Sequence, residues 1–315
     1  RAPYQWHDLF QRLSWHYHTN YPLLQKGFIA RCWLLINDET VWIPITFSFI
    51  IAFCTIGLVT SSVSILSNRT SGLIAGLALL CTPFYMTMAF SQYADNTVGY
   101  FYLASVVLLI YARHSTGVNY RVLFLAGVAS GLTAWSKNEG LFFIVSLFIS
   151  QLSFLFFGKN YRELLKEFKY ILAGLLPVLA VVLYFKFVIA PTNEIVSAQG
   201  SKTLDKLTDY SRYEIAFSWY WNRISNFGDW IVNPWWLFLV GILLNIRNIQ
   251  KNARVIIPYV ILIVLMLMGG FFVFIIAELD MVSYLSSSVH RLYFQLFPLF
   301  LLLYFIAISE KKPLR

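Results

Sequence analysis

Charge is what this sequence has least of. Asp, Glu, Lys and Arg make up 12% of its 315 residues, where a soluble globular domain carries about 25%. A chain this short of charge cannot cover a water-facing surface of its own size, which excludes an ordinary soluble enzyme. Cysteine is scarce as well. Cys32, Cys54 and Cys81 are the only three. They show no metal-ligand spacing, and the last two lie inside apolar runs, where a thiol serves as a small packing group. No Gly-rich phosphate loop is present, so nothing points to a nucleotide-binding domain. Internal repeats and low-complexity stretches are absent. The first residues, Arg-Ala-Pro, include no Met and no signal-peptide pattern, and the chain reads as trimmed at its N-terminus.

Apolar residues take the place of charge. Hydrophobic residues account for 58% and aromatic residues for 18%, with a mean hydropathy of +0.65. The fold class is therefore an all-α polytopic membrane protein. Apolar runs occupy roughly 41–66, 72–90, 97–112, 122–135, 141–157, 170–190, 234–246, 255–277 and 292–309. A span takes about 20 residues, with a range of about 17–25. The runs at 122–135 and 234–246 are short, so they must borrow flanking polar residues or be partly re-entrant.

Counting every run as a span gives about nine transmembrane helices and fixes alternating sides for the loops. One side holds 67–71, 113–121, 158–169, 247–254 and 310–315. It carries bases such as Arg113, Lys159, Lys166, Lys169, Arg247 and Arg254 against only Glu163, Glu167 and Glu310. Lys and Arg concentrate in short cytoplasmic loops, so this side is assigned to the cytoplasm. The outer side collects 1–39, 91–96, 136–140, 191–233 and 278–291, with all but three of the 15 acids. The net charge of +9 comes largely from loops between apolar runs and does not point to nucleic acid.

Two regions follow. Residues 1–39 mix Trp6, Trp15, Trp33, Tyr4, Tyr17 and Tyr21 with His7, His16, His18, Asp8 and Arg12. That mixture suits the membrane–water interface. The region reads as the remnant of a first outer loop, with Pro22 opening an interfacial helix over 23–36. Residues 40–315 form the transmembrane domain. Its outer loop at 191–233 is rich in Tyr and Trp and reads as a partly structured cap, since a structureless loop of that length is unusual.

Four polar clusters on the outer side carry the candidate chemistry. Asp95 sits between two apolar runs, where a carboxylate is expensive and usually has a purpose. It either positions or deprotonates an acceptor hydroxyl or caps the helix that follows. Lys137 and Glu139 share a tight turn between two short helices. Lys137 suits a lipid phosphate as a compact charge, or the pair is an interfacial anchor. His290 and Arg291 stand at the outer end of the last helix, with Glu278 and Asp280 before them. The planar fork of an Arg suits phosphate, although an Arg there also snorkels to the interface. The His7, Asp8, His16 and His18 segment, with Glu139, is the one arrangement that would admit a divalent metal. His16 and His18 share a face only in an extended stretch, no ligand spacing supports a metal there, and no cofactor is implied.

These residues stand in a recognisable order. Asn20-Tyr21-Pro22-Leu23-Leu24, Gln92-Tyr93-Ala94-Asp95, and Gly127 through Gly131 come first. Ala134-Trp135-Ser136-Lys137-Asn138-Glu139-Gly140 follows, and then Ser286-Ser287-Ser288-Val289-His290-Arg291-Leu292 with Gln295 and Pro298. The chain resembles bacterial GT-C glycosyltransferases, more narrowly the protein O-mannosyltransferase-like proteins of the family 39/83 type, including the RgtA/B/C/D-like group. The resemblance implies a GT-C bundle that takes a sugar from a polyprenyl-phosphate donor on the outer face of a bacterial plasma membrane. The acceptor would be a lipid, glycan or protein. Family members place an essential Asp in the first outer loop. Asp8 matches that context poorly and is the weaker candidate base, which puts the expected base upstream of residue 1. Asp95 matches the second, supporting acid, and Lys137 and Arg291 would serve the phosphate. A different class, a lipid or glycolipid transporter or flippase, would show internal symmetry and broken or charged helices at the midplane. A non-catalytic scaffold on the same fold is the third reading.

Overall fold

The computed structural model describes residues 20–114, 117–190, 200–231, 233–277 and 280–310. His7, Asp8, His16, His18 and Glu278 lie outside the described residues. Every apolar run of the sequence is helical. In chain order the helices are α1 (Leu24–Ile36), α2 (Trp42–Leu66), α3 (Arg69–Leu80), α4 (Pro83–Phe90), α5 (Ala94–His114), α6 (Tyr120–Ser136) and α7 (Glu139–Leu152). After α7 comes a 3₁₀ turn, Ser153–Phe157. Then follow α8 (Tyr161–Tyr184) with a π turn at Phe185–Ile189, α9 (Gly200–Thr208), α10 (Tyr210–Ser225), α11 (Trp235–Leu244), α12 (Ile246–Ile276) and α13 (Met281–Ile308). No strand occurs among the described residues.

Six of these segments are long and apolar enough to cross a membrane, and a seventh results if the bent pair α3–α4 counts as one span. The expected nine are not reached, for local reasons. The 72–90 run breaks at Thr82-Pro83, where the two helices meet at 67°. Helix α6 has 17 residues and so extends about 25 Å, short of a hydrocarbon core about 30 Å thick. Helix α11 has only 10 residues.

Short or not, α6 joins the two ends of the bundle. At one end Tyr120 packs on Tyr170 of α8, and at the other Lys137, just past α6, meets Asp95 of α5. The α6–α8 contact is close because it is built on glycine. A Cβ on Gly127 would stand 2.0 Å from the Ile171 carbonyl oxygen, and one on Gly174 would stand 1.9 Å from that of Phe124. Small residues that let backbones approach are the usual basis of helix pairing in membranes.

The helix starts explain the polar residues between runs. Asn68, Asn119 and Asn160 accept backbone N–H bonds at the starts of α3, α6 and α8, satisfying donors that have no intrahelical partner. Asp280 does the same for α13. Asp95 and Glu139 fall in the first turns of α5 and α7, where the helix dipole favours negative charge.

A second ionic knot ties the far end of the bundle. Arg113 of α5 donates to Glu167 Oε2 of α8 through Nε (3.0 Å) and Nη2 (2.8 Å). Its Nη1 reaches Gln151 Oε1 at 2.6 Å and Tyr259 Oη at 3.2 Å, and Lys159 donates to Glu167 Oε1. Glu167 is buried. Three charges that the sequence reading placed in solvated loops are thus spent on one internal contact.

The 191–233 stretch, expected to cap the outer surface, runs along the flank of the bundle in its described part. Arg212 of α10 donates to the Ile275 and Ala277 carbonyls at the end of α12. Further along, Tyr220 Oη donates to the Leu267 carbonyl at 3.3 Å. Past α10, the Gly228 carbonyl accepts the Phe84 N–H at 3.2 Å. The stretch therefore descends beside α12 and α13 to the α3–α4 break and satisfies one of the donors freed at the start of α4.

Candidate functional site

The site is built from three helix ends and one helix interior. Tyr93 and Asp95 come from the start of α5, Lys137 and Glu139 from the α6–α7 turn, and Arg291 and Gln295 from α13. Gln92 has a left-handed backbone (φ 63°), and its carbonyl accepts from Gln25 Nε2 of α1 at 2.9 Å. Gln25 Oε1 in turn accepts from Thr97 at 2.9 Å. Asn96 donates to the carbonyls of Ser48 (3.3 Å) and Ala89 (3.2 Å). These bonds fix the first turn of α5 against α1, α2 and α4, and so fix Asp95.

Asp95 is fully buried and fully engaged. Its Oδ1 accepts from Lys137 Nζ at 3.0 Å and from Gln295 Nε2 at 2.5 Å. Its Oδ2 accepts from Arg291 Nε at 3.0 Å and Nη2 at 2.5 Å. The alternative of a helix cap is not what the carboxylate does. It bridges two cations that would otherwise repel one another.

Lys137 also donates to Glu139 Oε1 at 2.6 Å. Burial pushes the Lys137 ammonium down, but the Asp95 and Glu139 carboxylates outweigh it and hold it above the ordinary lysine range. The Arg291 guanidinium lies 4.6 Å from the centroid of the Tyr93 ring, and Lys137 Nζ lies 5.9 Å from that of Tyr21. The two cations differ in access. The Lys137 side chain is 4% exposed and that of Arg291 is 24% exposed, while Glu139 at the rim is 39% exposed. Two positive and two negative groups make the cluster neutral. Donors nevertheless remain, because an ammonium has three N–H groups and a guanidinium five.

Lys186, in the π turn after α8, donates to the Asn20 carbonyl and to Asn138 Oδ1. It ties the segment before α1 to the turn that carries Lys137 and Glu139. Irregular turns of this kind are frequent at functional positions.

Of the residues singled out in the sequence, the structure brings Asp95, Lys137, Glu139 and Arg291 into one cluster. His290 points elsewhere, its ring edge-on to Phe84 at 5.9 Å, and it makes no hydrogen bond to Asp95, Lys137 or Glu139. Asp280 serves α13 as its cap. No group of three His, Cys, Asp or Glu that could hold a metal occurs among the described residues. The sequence reading quoted Asn138 and Gln295 only within the family-like stretches and gave no site role to them, to Lys186 or to Gln25. Gln295 had one usable signal, a polar amide inside an apolar run.

Fold and site together define a helical integral membrane protein with a carboxylate-bridged cation pair at one end of its bundle. The family model described as dolichyl-phosphate-mannose-protein mannosyltransferase matches residues 22–185. That is more than half of the chain, and the chain belongs to this family. The matched stretch contains Asp95, Lys137 and Glu139, whereas Arg291 and Gln295 lie beyond it. No curated protein sequence matches the chain. Among solved structures, the fold is similar to that of ArnT from Cupriavidus metallidurans bound to undecaprenyl phosphate. The TM-score is 0.52 at 12% identity, over 91% of this chain and 50% of that one. The architecture is thus the GT-C bundle, and the chain spans about half the length of that relative.

Proposed function

We propose that this protein transfers a sugar from a polyprenyl-phosphate-linked donor to an acceptor hydroxyl on the outer face of the plasma membrane of a bacterium. The observation that carries the reading is the cation pair, Lys137 and Arg291, held side by side on buried Asp95 with donors to spare. Displacement at an anomeric carbon from a phosphate needs no general acid, unlike glycoside hydrolysis with its two carboxyl groups. It needs positive charge and hydrogen-bond donors where the phosphate gains charge. Arg291 offers a planar fork with a partly exposed edge, and Lys137 a point charge. Asp95 is the supporting acid: it positions both cations.

The neighbouring proteins support the donor class. The family description names a dolichyl-phosphate sugar, and the ArnT structure holds undecaprenyl phosphate. Both are polyprenyl phosphates. The excess of Lys and Arg at the Arg113 end supports an outward-facing Asp95 cluster. The acceptor class is a lipid, a glycan or a protein.

One observation favours the transporter reading, the helix broken at Thr82-Pro83. The small cavity beside that break is lined by Ala78, Thr82, Phe227, Trp230, Trp235 and Phe297 among others. No charged group lines it, whereas a coupling or substrate site at the midplane would bring charge or open carbonyls there.

The direct test is reconstitution of the purified protein in nanodiscs with acceptor membranes and a panel of radiolabelled polyprenyl-phosphate sugars. Label is expected to move into the acceptor from at least one donor. Lys137→Ala and Arg291→Ala are each expected to slow transfer by about 10²–10³-fold, as loss of one charge-stabilising donor does. Donor flipping without transfer would favour the transporter instead.

A further inference from the structure

Lys137 serves a phosphate well only if its ammonium is held in one place, yet it lies in a turn between two helices and not within one. The inner side of that turn is fixed by close packing. A Cβ on Gly140 would stand 2.2 Å from the Thr133 carbonyl oxygen, so glycine lets α7 start this near the end of α6. Thr133 Oγ1 donates to the Gly140 carbonyl at 3.2 Å, and the Lys137 N–H donates to the Thr133 carbonyl at 3.1 Å. Beyond that bond the chain leaves α6, with Lys137 extended (φ −154°, ψ 156°).

The other side of the turn is held by the end of α8. Asn138 is the residue just before α7, where an Asn side chain ordinarily accepts a backbone N–H of the helix it opens. Here it makes no such bond. Its Oδ1 accepts from Lys186 instead, so a favourable cap is given up for a contact with another helix. That contact comes from the π turn at Phe185–Ile189, a rare backbone form that is frequent at functional positions. Phe185 packs edge-on against Trp135 at 5.9 Å, and Lys186 beside it reaches Asn138. The end of α8 thus grips Trp135 and Asn138, with Lys137 between them. The same ammonium holds the Asn20 carbonyl, and the ring of the next residue, Tyr21, lies 5.9 Å from Lys137 Nζ.

We infer that Lys186 is a positioning residue for sugar transfer, which sets Lys137 against the donor phosphate by holding Asn138. This rests on the transferase reading above. In that reading Lys137 stabilises the charge that grows on the phosphate as its bond to the anomeric carbon breaks, and such stabilisation depends on where the donor groups sit. The two hydrogen bonds of Lys186 go to Asn20 and Asn138 and not to Asp95 or Glu139, so its effect on the rate passes through the turn. A misplacement of about 1 Å caused by a change away from the reacting atoms costs up to about 10²-fold in rate.

The test measures kcat and the donor KM in nanodiscs for the wild-type protein, Asn138→Ala, Lys186→Met, Lys186→Arg, Lys137→Ala and the double variant Asn138→Ala with Lys137→Ala. Asn138→Ala removes only the acceptor on the turn. It loses no helix cap, since that side chain makes none, and it leaves Lys186 its bond to Asn20. Its kcat is expected to fall by about 10²-fold with the donor KM little changed, the pattern of an interaction lost in the transition state. Lys186→Met should do the same, and Lys186→Arg, which keeps a charged donor, should recover part of the loss. The double variant should be no slower than Lys137→Ala alone, because the hold on the turn has nothing left to position; contacts that act as one unit are not additive. Near-wild-type kcat in Asn138→Ala would overturn the role while leaving the transferase reading intact. So would losses that add in the double variant, or a fall in kcat that tracks loss of folded protein on size-exclusion chromatography. Absence of transfer by the wild-type protein from every donor would overturn the transferase reading and this role with it.

Discussion

Replacing Asp95 by Asn is the most informative single perturbation of the fold. The side chain is buried and accepts four hydrogen bonds from Lys137, Arg291 and Gln295. An Asn of the same shape keeps one acceptor oxygen and turns an N–H₂ toward a cation that already presents N–H groups. Lys137 retains Glu139 as a partner, so the uncompensated charge falls mainly on Arg291. Breaking a buried ion pair from one side costs about 3–5 kcal/mol. At about 2–4 °C per kcal/mol for a chain of this order of size, the midpoint should drop by about 6–20 °C. The assay is thermal unfolding in nanodiscs followed by fluorescence of the 10 tryptophans. The double variant Asp95→Leu with Arg291→Met removes both sides of the pair. It should be more stable than Asp95→Asn alone, because apolar groups in place of a whole buried pair are often neutral. An Asp95→Asn protein within about 0.5 kcal/mol of wild type, the range of an ordinary surface change, would refute this reasoning. So would a double variant as unstable as the two single changes added together.

Other perturbations read other parts of the molecule. Gly174→Val should abolish a monodisperse folded protein on size-exclusion chromatography, since its Cβ would stand 1.9 Å from the Phe124 carbonyl oxygen. Glu167→Gln should destabilise by about 3–5 kcal/mol, because it leaves Arg113 and Lys159 facing one another without their carboxylate. It lies at the far end of the bundle and should leave undecaprenyl phosphate affinity unchanged in a binding titration. The Tyr21 phenol is pushed up to about 12 by burial, with Glu139 adding to the shift. A phenol held neutral in the fold but not in the unfolded chain contributes stability that is complete below about pH 10 and is lost as pH rises toward 12. Wild-type protein should therefore lose stability faster than Tyr21→Phe across that window in alkaline unfolding curves.

Much of the fold was legible because apolar length is a strong signal. Each apolar run became a helix, and Asn68, Asn119 and Asn160 mark helix starts by their chemistry. The span count was less legible. A run such as 72–90 reads as continuous until the Thr82-Pro83 bend is seen, since Pro at a helix start and Pro at a kink look alike in sequence. Asp95, Lys137, Glu139 and Arg291 stood out because charge is rare here and costly in a membrane. Their mutual distances did not, because Arg291 and Gln295 meet Asp95 from about 200 residues away. The same limit hid the Arg113–Glu167 knot. Both residues flank apolar runs and look like solvated loop charges, while Gln151, buried inside the 141–157 apolar run, was the one hint of a polar interior there. His290 was grouped with Arg291 by adjacency alone, and successive residues on a helix point about 100° apart.

The central claim is that Lys137 and Arg291, bridged by Asp95, hold the phosphate of a polyprenyl carrier. The most direct measurement is a cryo-EM map of the protein reconstituted with undecaprenyl phosphate. Phosphate density is expected between the Lys137 ammonium and the free edge of the Arg291 guanidinium, with the prenyl chain leading away along the helices. A phosphate seated elsewhere, with the Asp95 cluster unchanged from the ligand-free protein, would contradict it.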